Sequence, residues 1–191
     1  MKNKAPTRQP FNVILLSLLM LGISGQFALA AKPWSGKIIY DVQPMNSAAS
    51  EWDYLPHTIT YETNGEHWRI TEKGTSFERI WIGAFDDLEY SVLFHFLGHA
   101  IELLEPCPNE VLDGDGEWFD APAPCAWSVQ ALPKSCILYD GPASFQILVH
   151  ERNEVPLRNW ERGTFELPEG YEPMDRMSLS ALLTSLTKGQ H

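Results

Sequence analysis

The chain has 191 residues, 44% of them hydrophobic and 20% charged, with a formal net charge of −11 at pH 7. Phosphate binding rests on clustered Lys and Arg, and no such cluster exists here, so nucleic acid is excluded as a partner and an anionic membrane surface is disfavoured. The length fits one domain with its own core.

Residues 1–30 read as an export signal peptide. Lys2, Lys4 and Arg8 give a positive start, Val13 to Ile23 an apolar run, and Ala28-Leu29-Ala30 a small-x-small cleavage pattern. The run is too short and too interrupted to span a bilayer, so the chain is not expected to cross a membrane once the signal is removed. The periplasm is the expected destination, with secretion as the alternative. Cleavage after Ala30 leaves 161 residues carrying 11 Lys and Arg against 25 Asp and Glu, a formal charge of 11 − 25 = −14.

Residues 31–191 read as a single, mainly β domain. Gly36 to Gln43 opens it as a strand with Ile38, Tyr40 and Val42 on one face. A polar connector over residues 44–56 follows. His57 to Lys73 then forms a hairpin about a two-residue Asn64-Gly65 turn, since that dipeptide adopts the positive φ a type I′ turn requires. Its apolar face carries Ile59, Tyr61, Trp68 and Ile70. Ser76 to Ala84 predicts a fourth strand, with Phe77, Ile80 and Ile82 prominent. Leu88 to Leu104 fits either a buried helix or two strands turning at Leu97-Gly98; the all-β neighbourhood and the lack of a capping residue favour the strands.

Pro106, Pro108, Pro122 and Pro124 mark residues 105–125 as an acidic, Cys-flanked loop. Ala126 to Leu132 and Cys136 to Tyr139 are short strands divided by Pro133-Lys134, and Ser144 to Glu151 is a further strand. Leu157 to Phe165 leads into a final extended piece, Phe165 to Met174. Ser178 caps a short C-terminal helix whose stripe is Leu179, Leu182, Leu183 and Leu186. The expected architecture is α+β in the weak sense: a curved antiparallel sheet, half-barrel in type, with that helix.

Three cysteines in an oxidising compartment imply one disulfide and one odd thiol. Cys107 with Cys125 would close the Pro- and Asp-rich stretch, worth about 3 kcal/mol in the chain-entropy model. Cys125 with Cys136 is the alternative, and spacing leaves both open.

The chemical motifs are weak. His95 and His99 sit at metal-ligand spacing, but Phe96 occupies the place where a zinc-protease helix needs Glu. On two strands they would face each other near a hairpin end. Asp113, Asp115 and Glu117 resemble a calcium loop, yet position six from Asp113 is Trp118 rather than Gly. A zinc- or calcium-binding protein using these five residues is therefore one alternative. No nucleophile elbow, phosphate loop or dinucleotide fingerprint occurs, so no catalytic residue and no cofactor is expected, and a hydrolase is disfavoured. Seven Trp, six Tyr and nine Phe are many for one small domain. A curved sheet with such a surplus can enclose an apolar cavity.

The Gly36-Lys-Ile-Ile-Tyr40 strand, the Ile59 to Arg69 hairpin, Val155-Pro-Leu-Arg158 and Phe165-Glu-Leu-Pro-Glu-Gly-Tyr171 together resemble exported bacterial domains grouped near the outer-membrane lipoprotein carriers. The resemblance implies a half-barrel wrapped round a helix or loops, with an apolar concave side that takes lipid-modified partners. The Cys107 to Cys125 insert departs from that pattern. The expected function is non-enzymatic binding of a lipid or lipidated protein, with Trp68, Ile70, Trp81 and Phe94 as lining residues. A protein-interaction module of the envelope, using the acidic disulfide loop, is the rival.

Overall fold

The computed structural model describes residues 33–181 apart from 54, 97, 110–113, 128 and 130. The expected signal peptide, Asp113, and the helical positions Leu182, Leu183 and Leu186 lie outside the described residues.

Alternation of apolar and polar residues builds ten strands: β1 (Gly36–Pro44), β2 (Thr58–Thr63), β3 (His67–Lys73), β4 (Glu78–Ala84), β5 (Glu89–Phe96), β6 (His99–Pro106), β7 (Gly114–Pro122), β8 (Ala131–Asp140), β9 (Ala143–Glu154) and β10 (Glu172–Met174). They form one open sheet in the order β10-β6-β5-β4-β3-β2-β1-β9-β8-β7. β1 to β6 is a meander, and β7 to β9 is a second meander added to the other side of β1. All pairings are antiparallel except β10, which runs parallel to β6. A four-residue helix, α1 (Ser47–Ser50), interrupts the connector, its first turn capped by the Asn46 side chain, which accepts from the Ala49 amide at 2.9 Å. The C-terminal helix, α2, occupies 176–181 of the described residues.

Curvature follows from which side chains meet. β4 and β8 are five strands apart, about 24 Å on a flat sheet. Yet Trp81 of β4 and Leu138 of β8 line one cavity, so the face that carries them is concave. The register bulges where Ile39 and Tyr40 of β1 meet β9, leaving His150 as the extra residue; such bulges sharpen bending. Ile38, Tyr40, Ile59, Tyr61, Trp68, Ile70, Leu138 and Ile147 form the core on the concave side. Ile80, Ile82 and Leu93 form a smaller cluster with Tyr171 on the opposite face.

The hairpin faces are those expected, but its turn is not. An Asn64-Gly65 loop would set Thr63 opposite Glu66; the structure sets Thr63 opposite Trp68. The turn centres on Gly65-Glu66, with Gly65 at φ +93°. Asn64 drives this shift, because its side-chain oxygen accepts from the amides of both Glu66 and His67, at 2.9 and 2.7 Å. The partner moves by two residues, so every side chain keeps its face.

Three further expectations need correction. Residues 105–125 are not all loop, since β7 lies within them. Ala126 to Leu132 is not one short strand ending before Pro133: Cys125–Trp127 is a 3-10 turn, and Ala131 and Leu132 belong to β8, which runs unbroken through Pro133. Pro133 faces Trp118 of β7, while the β8–β9 ladder begins only at Ser135. The missing N–H of Pro133 therefore falls where β8 has a single partner. Finally, Asp175 rather than Ser178 caps α2, its carboxylate accepting from the Ser178 amide at 2.7 Å and from the Ser178 hydroxyl at 3.0 Å. Those bonds lower the Asp175 pKa.

The disulfide joins Cys107, just past β6, to Cys125, just past β7. Cys136 is free and buried. The bridge therefore ties together strands from opposite halves of an open sheet.

Candidate functional site

The rows of the sheet place the site. Across the concave face one row runs Phe94, Arg79, Glu72, Ile59, Tyr40, and the next runs Val92, Trp81, Ile70, Tyr61, Ile38. A third row sets Gly83 beside Trp68 and Thr63. At that end the face is filled. Trp68 is fully buried, lies 5.8 Å from Tyr90 by ring centroids, and crosses Gly83. A Cβ at position 83 would sit 2.6 Å from Trp68 Cζ2, so glycine is what lets the indole lie flat.

At the Glu72 end the face is hollow. A cavity of about 350 Å³ lies between Ile59, Ile70 and Trp81 on one side and Phe145 and Ile147 on the other. The 3-10 turn after Cys125 roofs part of it: the Trp127 ring stands 5.2 Å from Tyr40 and 6.2 Å from Tyr61. The connector supplies Trp52, Leu55 and Pro56 as a further wall. The disulfide-linked segment thus packs into the concavity and shapes what remains of it.

Among the described residues, two charged ones, Glu72 and Arg79, line this otherwise apolar cavity. Arg79 Nη2 contacts Glu72 Oε2 at 2.8 Å, and Trp81 Nε1 donates to the same oxygen at 3.2 Å. Burial raises the Glu72 pKa, opposed by the Arg79 charge and by the two hydrogen bonds. The Arg79 guanidinium also lies 5.1 Å over the Phe77 ring. Its Nε is buried and makes no hydrogen bond among the described residues.

All four residues expected to line a ligand space lie on the concave face, but only Ile70 and Trp81 reach the cavity. Trp68 is packed core. Phe94 stands in the row beside Arg79, opposite Ile101, and lies outside the cavity lining. Glu72 and Arg79 were missed. Their signal was present, since Glu72 continues the Trp68, Ile70 alternation and Arg79 precedes Trp81 by two.

The metal reading does not assemble. His99 pairs with Phe96 across the β5–β6 hairpin and His95 pairs with Ala100. Opposed residues share a face and neighbours alternate, so the two histidines point to opposite sides of the sheet rather than toward each other. His95 packs on Tyr171 instead, with ring centroids 5.5 Å apart. Asp115 and Glu117 are exposed on β7. Among the described residues no group of three or more His, Cys, Asp or Glu could hold a metal ion.

A second, more polar hollow of about 550 Å³ adjoins the connector and includes Asp53, His57, Thr75 and Ser76. His57 Nε2 and Thr75 Oγ1 are 3.4 Å apart, a long contact for a nucleophile and its base. Burial pushes the Cys136 thiol up to about 11, which keeps it protonated and inert at neutral pH.

No protein-family model, curated protein or solved structure matches the chain.

Proposed function

We propose that this is an exported envelope protein that binds a lipophilic ligand, or the acyl group of a lipidated partner, in the hollow half of its concave face, and catalyses no reaction. The carrying observation is the 350 Å³ cavity walled by Ile70, Trp81, Trp127 and Phe145. It lies at the small end of the range for ligand sites, which suits one hydrocarbon chain rather than a two-chain lipid. The resemblance to the lipoprotein carriers points the same way, and the basic, apolar, Ala-x-Ala start supports export to the periplasm.

The test is native mass spectrometry of protein purified from its own compartment, with a hydrophobic fluorescent dye as a second probe. Co-purified lipophile, or dye binding lost on Ile70→Trp substitution, is expected. Protein that carries nothing and binds no dye sinks the reading.

One observation favours a second reading, an interaction module. β7 is a sheet edge that carries exposed Asp115, Glu117 and Asp120. Because β7 is a strand, charge reversal there is a cleaner test than deletion. Glu117→Lys with Asp120→Lys should abolish capture of an envelope partner and spare dye binding if this reading holds.

A further inference from the structure

We infer that the concave cavity is built for a straight hydrocarbon chain ending in a carboxyl group, with Arg79 receiving the carboxylate beside Glu72. This rests on the reading of the concavity as a lipophile site and names the ligand class.

The polar pair is hard to explain as a stabilising device. The Arg79 side chain is 33% exposed and that of Glu72 15%, so the carboxylate gives up much of its water while solvent screens the guanidinium, and such a pair adds little stability. A cavity meant only for hydrocarbon would be better served by Leu and Met at these positions. Instead the sheet register aligns Glu72 directly with Arg79 on the concave face.

The guanidinium is also under-bonded. Among the described residues Glu72 engages it through one contact, Nη2 to Oε2, and Arg79 Nε is buried with no hydrogen bond. Arginine presents a planar fork that a carboxylate fills with two parallel bonds. The Arg79 side chain is 33% exposed, so a planar acid in the cavity meets its outer amino groups rather than the buried Nε, whereas a cationic head would meet Arg79 repulsively and an alcohol would supply one weaker, neutral bond. Phe77 covers one face of the guanidinium.

Two carboxyl groups on one guanidinium do not both stay ionised at close range; one holds a proton. Arg79 opposes the burial that raises the Glu72 pKa; a ligand carboxylate on the guanidinium weakens that opposition and adds a like charge, which raises the Glu72 pKa further. The ligand carboxylate settles on Arg79, and one proton from solvent adds to Glu72. Among the described residues nothing else lining the cavity competes for that proton: β2 contributes Ile59, β3 Ile70, β8 Leu138, β9 Phe145 and Ile147, the turn after Cys125 Ala126 and Trp127, the connector Trp52, Leu55 and Pro56, and Arg79 of β4 stays charged.

The experiment is calorimetric titration of the full mature chain with decanoate, 1-decanol and decyltrimethylammonium near neutral pH, repeated in buffers of different ionisation enthalpy. Decanoate should bind about tenfold or more tighter than decanol, the margin of a charge-assisted over a neutral hydrogen bond, and should take up about one proton. Arg79→Met alone leaves Glu72 without its counter-charge and risks unfolding, so the companion variant is Glu72→Gln with Arg79→Met. That variant should retain decanol binding, lose the preference for decanoate and take up no proton. Equal binding of all three probes, tightest binding of the ammonium, or decanoate binding without proton uptake overturns this inference while leaving the lipophile reading standing. Failure of all three to bind overturns both.

Discussion

The concave face has a filled end and a hollow end, and both are made by the same hairpin. Along β3 the concave positions run Trp68, Ile70, Glu72, two residues apart. At Trp68 the neighbour across β4 is Gly83, so a large ring covers a missing side chain and the space closes. At Glu72 the neighbour is Arg79, and two polar head groups hold each other where a ring would have packed. The hollow therefore does not come from a loose sheet. It comes from a change in partner chemistry within two steps of one strand.

Breaking the filled end should cost most. Trp68→Ala is expected to lower stability by about 3–5 kcal/mol, measured by urea unfolding, whereas Trp81→Ala at the hollow rim should cost less and instead weaken dye binding. Equal losses at both sites would erase the distinction between the ends. Removing the bridge with Cys107→Ser and Cys125→Ser should cost about 3 kcal/mol for a loop of 18 residues. Hydrogen exchange sharpens that result: the effect should concentrate near Trp127 and the hollow end, with the β3–β4 amides around Trp68 still protected.

Gly83→Ala comes next, at about 1–3 kcal/mol, because the added methyl overlaps the Trp68 ring. Gly98→Ala is a poor control because Gly98 sits at φ +83°; Gln146→Ala, on partly buried β9, serves better. The smallest effect is electrostatic. Burial raises the Glu72 pKa, so the folded chain holds that proton to higher pH than the unfolded chain does. The stability this brings is complete below the unfolded value of about 4.3 and is lost as pH rises through the folded value. Wild type should therefore lose stability relative to Glu72→Gln as pH rises from the acid side, read as the melting-temperature difference. A difference that grows in the opposite direction would mean that Arg79 outweighs burial.

Much of the fold was legible because alternation survives errors of detail. The hairpin turn was misplaced by a residue, yet Ile59, Tyr61, Trp68 and Ile70 kept their face, since a slip of two preserves the pleat. Val92 and Phe94 were likewise placed on strands by the all-β neighbourhood and the lack of a helix cap, and β5 and β6 do pair, with Phe96 opposite His99. What stayed hidden depends on partners distant in sequence. Residues 114–122 carry Gly, Asp and Pro, poor strand formers by composition, and become a strand because β8 offers a ladder. Pro133 reads as a break and is tolerated because β9 is absent beside it. His95 and His99 look like a pair by spacing, and only the register separates them. The candidate site was half visible, its apolar rim read from Ile70 and Trp81 and its polar floor overlooked.

Cys136 has a consequence for how the protein is made. In an oxidising environment any two of three thiols can join, and two of the three outcomes are wrong. Docking of β8 on β9 places Cys136 opposite Ile147 inside the core, where its sulfur stays protonated and out of reach of exchange. Strand assembly thus acts as the editor of the covalent bond: a chain that folds before it oxidises is left with a single choice of cross-link. A chain oxidised first can trap Cys136 in a bridge that the sheet has no room to accept.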